Sequence, residues 1–229
     1  MVTYRIALGP ELDWLPDDTE ESLLGTTAHQ GAIVTLDNSL NYHKRRAGLP
    51  WLIGNQLKLI VPRRDGRTYQ PSPDIIVHPT LGDVLLTSLA VAEHGPPALA
   101  IEITSPSTAR EHDLNTISHR AKPQVYEECG IPEYLVFDPI GDFIPDQILA
   151  WRLKADGQYD SWLPDPVTGR WHSALGISFA PQGLRLRVYD ADGNLIPTLD
   201  ELATLREVVE AQARENAELR AELRRLRGE

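Results

Sequence analysis

Ala98-Leu99-Ala100-Ile101-Glu102-Ile103 is an apolar run broken by one carboxylate, and the polar stretch Thr104-Ser105-Pro106-Ser107-Thr108 follows it at once. A continuous apolar run of this length reads as a strand buried on both faces, of the kind found inside an α/β sheet. A carboxylate left unpaired in such surroundings costs several kcal/mol. Glu102 is therefore predicted to be ion-paired, protonated or metal-bound. A single strand carboxylate also reaches water readily through side-chain alternation, so its neighbours decide the reading.

Those neighbours extend the same pattern in both directions. Upstream, Asp74-Ile75-Ile76-Val77-His78 forms a second strand, approached through Pro71-Ser72-Pro73. Downstream, the polar loop 105–122 ends at Pro123, which favours a helix start, and a short helix to Cys129 is stopped by Gly130. Residues 133–138, Glu-Tyr-Leu-Val-Phe-Asp, read as a further strand. Earlier, Ile33, Leu36 and Leu40, with Leu24 nine residues before Ile33, lie near one face of a helix over 22–46, which Gly48 and Pro50 end. Residues 57–61 are a short apolar strand, 80–97 a strand or a short helix, and 1–21 an irregular lead-in. Residues 147–153, 158–163 and 184–189 read as antiparallel strands with turns at Ala155-Asp156-Gly157 and Asp192-Gly193. Trp151, Trp162 and Trp171 in that region are expected in the core, not on a base-stacking platform. The fold class predicted is α/β: a mixed central sheet flanked by helices, an antiparallel extension, and a C-terminal helix.

From about residue 199 the chain becomes rich in Glu, Arg, Ala and Leu and contains no proline. A heptad frame places Leu202, Val209, Asn216 and Leu223 at one core position and Leu205, Gln212, Leu219 and Leu226 at the other. The expected helix is roughly 40 Å long. It either folds back as an amphipathic helix or pairs with a second copy as a coiled coil, with Asn216 setting the register. The homodimer is the expected state.

Composition narrows the function. At 229 residues there is room for one domain with a sizeable core and an appendage. No stretch approaches the roughly 20 apolar residues of a membrane span. The start of the chain lacks a secretory pattern. The one cysteine, Cys129, makes neither an internal disulfide nor a zinc cage, so a cytoplasmic location is expected. The net charge of −11 argues against a protein whose entire surface grips nucleic acid. It leaves room for a local basic groove built from Lys44, Arg45 and Arg46, from Arg63, Arg64 and Arg67, or from His112, His119, Arg120 and Lys122; each of these clusters reads equally as a solvated face. There is no Gly-rich phosphate loop, no Gly-x-Ser-x-Gly elbow and no paired-histidine zinc pattern.

Two carboxylates at the ends of neighbouring strands, followed by a basic loop and helix, suit phosphodiester hydrolysis. That chemistry uses a divalent ion to lower the pKa of water and offset phosphate charge. Mg²⁺ accepts oxygen ligands, few of them from protein, and a nearby lysine stabilises developing charge.

Pro73-Asp74 with Glu102-Ile103-Thr104 resembles the signature of the PD-(D/E)XK nuclease superfamily. The longer set resembles its Uma-type family of bacterial restriction endonucleases: Ile101 to Thr108, Asp113, Lys122, Tyr126, Gly130, Pro132-Glu133-Tyr134 and Asp138-Pro139. The resemblance covers roughly residues 22–200, and a leucine-rich tail is common in that family. It implies a restriction-endonuclease-like domain over 1–198, a coiled-coil helix over 199–229, and an Mg²⁺- or Mn²⁺-dependent DNA endonuclease. It makes Asp74, Glu102 and the main-chain carbonyl of Ile103 the metal ligands. The signature lysine, two residues after the glutamate, is replaced by Thr104, and the family's alternative lysine from the following helix points to Lys122. Pro123 places Lys122 at the helix cap, where a solvated charge is the competing reading. Asp113 is a third acidic group or a turn cap. His29, in the first helix where relatives carry an acid, faces the site or is a structural histidine. Tyr126 is expected to pack. Should catalysis be lost, the same fold would be a module binding nucleic acid or a protein partner.

Overall fold

The structure, a computed structural model, describes residues 20–62, 68–104 and 122–227. The lead-in, Arg63, Arg64, Arg67 and the polar loop after Thr104 lie outside the described residues. The chain divides into two compact units, Met1–Ile196 and Pro197–Glu229.

Along the first unit the described elements are α1 (Glu20–Ala47), β1 (Leu52–Asn55), β2 (Lys58–Pro62), β3 (Thr68–Tyr69), β4 (Ile75–His78), β5 (Ser88–Ala90), α2 (Val91–His94) and β6 (Leu99–Ile103). There follow α3 (Lys122–Glu128), β7 (Glu133–Phe137), β8 (Ile148–Leu153), β9 (Tyr159–Ser161), β10 (Trp171–His172), β11 (Ser178–Gln182) and β12 (Arg185–Tyr189). A six-stranded sheet has the order β1-β4-β6-β7-β8-β9. Within it β6 and β7 run parallel and the other neighbours antiparallel, so the sheet is mixed as predicted. Two three-stranded sheets, β10-β11-β12 and β3-β2-β5, complete the unit.

Side chains alternate across the central sheet and bury both faces. Ile75, Val77, Leu99, Ile101, Ile103, Leu135 and Phe137 point to the face covered by α1, whose Ala32, Ile33, Leu36 and Leu40 are buried there. Trp162, Trp171, Phe179, Leu186 and Val188 extend the same core. Ile76, Ala100, Tyr134, Val136 and Leu149 point to the opposite face, where Val125 and Tyr126 of α3, and Cys129 just after it, lie over them. Each fully buried aliphatic side chain contributes about 1.5–3 kcal/mol of transfer free energy. All three tryptophans named above are buried.

Two strands hidden from the sequence reading carry residues that ordinarily weaken strands. β1 contains Gly54, where a Cβ would lie 2.9 Å from Ile76 Cγ1 and from Leu57 Cβ. Close approach to β4 therefore requires the glycine, a residue type that ordinarily weakens a strand. β11 contains Pro181, which pairs only with β12, because β10 reaches no further than Phe179 and Ser178. The proline thus sits where one side of β11 has no neighbour to bond. Residues 80–97 hold both candidates in short form, β5 and the single turn α2.

The second unit is the helix α4 (Leu199–Arg227). Its start is a reciprocal cap: Thr198 N–H donates to Glu201 Oε2 at 2.9 Å and Glu201 N–H donates to Thr198 Oγ1 at 3.3 Å. Among the described residues no helix is long and apolar enough to cross a membrane.

Candidate active site

The antiparallel register of β4 and β6 pairs Ile75 with Ile101, so Asp74, just before β4, comes level with Glu102 near the end of β6. The two carboxylates converge because one strand begins where the other ends. Asp74 Oδ2 accepts the Ile103 N–H at 2.8 Å and lies 3.4 Å from His29 Nε2 of α1. Asp74 Oδ1 takes no hydrogen bond from the described residues. In a strand the N–H and C=O of one residue face the same neighbour. The Ile103 carbonyl therefore lies on the Asp74 side of β6.

Glu102 points to the α3 face with Ala100, and β6 is buried along its whole length, so alternation does not bring it to water. Its carboxylate, 2% exposed, is divided between two partners on α3. Tyr126 donates its hydroxyl to Oε1 at 2.5 Å, and Lys122 Nζ stands 3.1 Å from Oε2. One helical turn separates the two donors, which places them on one face of α3. Lys122 is the first residue of α3 and Pro123 the second, so the helix begins at the lysine and the proline does not turn it away. Tyr126 does pack as expected, edge-on against Tyr134, which stacks on Trp151. It also holds the carboxylate, a role the sequence reading missed. The available signal was its step of four from Lys122 beneath a buried acid.

Electrostatics separate the two acids. Burial pushes the Glu102 carboxyl up from 4.5 to about 7; Lys122 opposes the rise, the Asp74 charge adds to it, and the Tyr126 hydrogen bond opposes it. For Asp74 burial is also the largest influence and acts upward, but the His29 and Ile103 hydrogen bonds and the charges of His29 and Lys122 together hold its carboxyl below the ordinary value.

Thr104, at the position where the signature has lysine, is buried, and its Oγ1 has no hydrogen-bond partner among the described residues. Asp113 lies outside the described residues. A nearby buried acid, Asp138 at the end of β7, is occupied elsewhere: it accepts N–H groups of Phe143 at 2.7 Å, Ile144 at 2.9 Å and Ile140 at 3.2 Å. Glu133, which the sequence places at the start of a strand, is also buried, against Arg152, Ser173 and Ala174. Of the basic clusters, Lys44 is no solvated charge, because it is buried and paired with Asp83 at 2.5 Å.

Among the described residues no group of three or more His, Cys, Asp or Glu side chains is placed to hold a metal. The oxygen donors that converge here are two carboxylates, one with an oxygen unengaged among the described residues, and a main-chain carbonyl. Those are hard oxygen ligands, few in number, and they fit a partly hydrated Mg²⁺ or Mn²⁺ better than zinc.

Comparison with known proteins bears on the same segments. No curated protein matches the sequence. A crystal structure described as a putative nuclease belonging to DUF820, from Anabaena variabilis, is similar at 15% identity and a TM-score of 0.39, over 67% of this chain and 76% of that one. The profile of the Uma2 family, described as "Putative restriction endonuclease", matches residues 10–196, a span that contains His29, Asp74, Glu102, Lys122 and Tyr126. The chain belongs to the Uma2 family.

Proposed function

We propose that the protein is an Mg²⁺-dependent DNA endonuclease, with Mn²⁺ able to substitute, and that its active site is the cluster of Asp74, Glu102 and Lys122. The observation that carries the reading is the convergence of two strand-borne carboxylates and a lysine on one buried point. Asp74, Glu102 and the Ile103 carbonyl are the ligands in this reading. When bound there, the ion supplies charge that offsets the phosphate and lowers the pKa of a water.

The remaining work falls to the chain's own groups. Tyr126 holds Oε1 of Glu102, leaving Oε2 to face Lys122 and the site. His29 and the Ile103 N–H hold Asp74 Oδ2, and Oδ1 is unengaged among the described residues. Lys122 donates from Nζ, either orienting the attacking water or stabilising the extra negative charge on the phosphate oxygens. The hydroxyl of Thr104 offers a buried contact for water at the position of the signature lysine. Asp113 is a candidate third acid.

The uncovered helix α4 pairs two copies, so that two active sites address two DNA strands. The single cysteine, buried just after α3, suits a reducing cytoplasm.

The test is cleavage of supercoiled plasmid and of single-stranded DNA with Mg²⁺ or Mn²⁺, by the parent and by Asp74→Ala side by side. Metal-dependent cutting by the parent alone supports the assignment. Cutting that survives in Asp74→Ala removes the metal from Asp74. No cutting by a folded parent, together with metal-independent DNA binding, points instead to a binding module, consistent with threonine at position 104.

A further inference from the structure

Helix α4 buries none of its residues, and Leu205, Val209, Leu219, Leu223 and Leu226 of its heptad seam are each more than half exposed. An apolar stripe of this length left in water associates. The residues flanking the stripe say with what, and in which direction. The position before each seam pair carries Glu201, Val208, Glu215 and Glu222; the position after carries Arg206, Ala213, Arg220 and Arg227. One flank is acidic and the other basic, and both become apolar at the same level.

We infer that α4 joins α4 of a second copy as a parallel, in-register, two-stranded coil. The inference rests on the dimer reading above and adds its direction and register. In a parallel coil each residue of the first flank meets the residue five positions later in the partner. Glu215 then faces the partner's Arg220, Glu222 faces the partner's Arg227, and Val208 faces the partner's Ala213. An antiparallel coil sets each flank against itself, glutamate on glutamate and arginine on arginine. Glu201 faces the partner's Arg206 in the parallel arrangement, but both are already engaged. Glu201 closes the cap with Thr198, and Arg206 bonds Glu210 at 2.9 Å. Glu215, Arg220, Glu222 and Arg227 form no ion pair among the described residues, so the selecting charges are the two pairs nearest the C-terminus. Asn216, in the same half, meets its own counterpart only when the two chains are in register. Both chains enter this coil at the same end.

Two measurements on the full chain test this. First, Leu205→Cys and Leu226→Cys are prepared separately and oxidised mildly, with the parent, whose Cys129 is buried, as the control. Covalent dimer within each single variant is expected. Second, the dissociation constant is measured by sedimentation for Glu215→Arg/Glu222→Arg and for Arg220→Glu/Arg227→Glu. Each double variant should weaken self-association about tenfold or more, and mixing the two should restore a heterodimer. Cross-links that form only in a mixture of Leu205→Cys with Leu223→Cys, residues that an antiparallel coil sets opposite each other, would overturn the direction and leave the dimer standing. A parent that is monomeric at all concentrations, or that associates only with DNA or another protein, would overturn the coil and the dimer reading together, without touching the nuclease assignment.

Discussion

Two glutamates, Glu102 on β6 and Glu133 on β7, lie in adjacent parallel strands, each flanked by apolar residues and each 2% exposed. They are held in opposite ways. Glu133 accepts from Ser173 Oγ, from Ala174 N–H at 2.9 Å, and from Arg152 at 2.8 and 3.2 Å. Arg152 is itself anchored to the His172 carbonyl at 2.6 Å and lies over the Trp162 ring. The donors around Glu133 come from β8 and from the turn after β10, and between them they engage both of its carboxylate oxygens. Glu102 has one phenol and one lysine, a carboxyl pushed up to about 7, and Asp74 as a neighbour with one oxygen that takes no hydrogen bond from the described residues. Burial alone therefore does not mark a site. In the proposed reading, what distinguishes Glu102 is its place beside a second acid, with both of its described partners on α3.

The largest effect that would break this contrast is at Glu102. Glu102→Gln should lower metal-dependent cleavage by more than about a hundredfold while thermal unfolding shifts little. A variant that keeps cleavage would return Glu102 to the structural class. Glu133→Ala should do the reverse. Arg152 is about half exposed and its head rehydrates, but Ser173 Oγ and Ala174 N–H lose a buried acceptor. The expected cost is about 3 kcal/mol, or roughly 6–12 °C in Tm, with Mn²⁺ affinity unchanged in calorimetry. Loss of Mn²⁺ binding in a folded Glu133→Ala would merge the two regions.

Tyr126→Phe comes next. It keeps the ring contact with Tyr134 and removes the hydroxyl that holds Glu102 Oε1. Mn²⁺ affinity should fall about tenfold; an unchanged affinity would leave Tyr126 as packing alone. The pH dependence should be of similar size. Between 4.5 and about 7 the folded chain holds a proton on Glu102 that the unfolded chain has released. Stability from this group is therefore present at low pH and declines as pH rises through that window. Mn²⁺ binding must displace the same proton, so affinity should fall roughly tenfold per pH unit below about 7. Calorimetric titrations from pH 5.5 to 8 check the slope, and a flat profile would contradict the shift. The smallest effect is at Thr104. Thr104→Val removes a buried hydroxyl that has no partner among the described residues and should raise stability by about 1 kcal/mol or less. A fall in cleavage without a fall in stability would show that the hydroxyl meets a water or the substrate.

Much of the architecture was readable residue by residue, because period and chain breaks are local properties. The stripe Ile33-Leu36-Leu40, the apolar runs at 74–78, 98–103 and 133–138, and the change of composition near residue 199 all place elements within a few residues of where they lie. Gly54 and Pro181 hid two strands, since each is justified only by a neighbour: Ile76 pressing on one, and the short reach of β10 beside the other.

The site divides along the same line. The sequence by itself singled out Asp74 and Glu102 as two acids in apolar strands, and its resemblance to a known family pointed to Lys122. It offered the same local signal for Glu102 and Glu133, because a carboxylate among apolar neighbours reads alike wherever it occurs. Only the tertiary structure separated them. The antiparallel register of β4 on β6 sets Asp74 beside Glu102, and α3 lays Lys122 and Tyr126 over it. The antiparallel β8 carries Arg152 to Glu133, and the segment after β10 closes over that carboxylate. The charge state and availability of a buried acid depend on groups brought from distant parts of the chain. That is a property of packing, which no local pattern encodes.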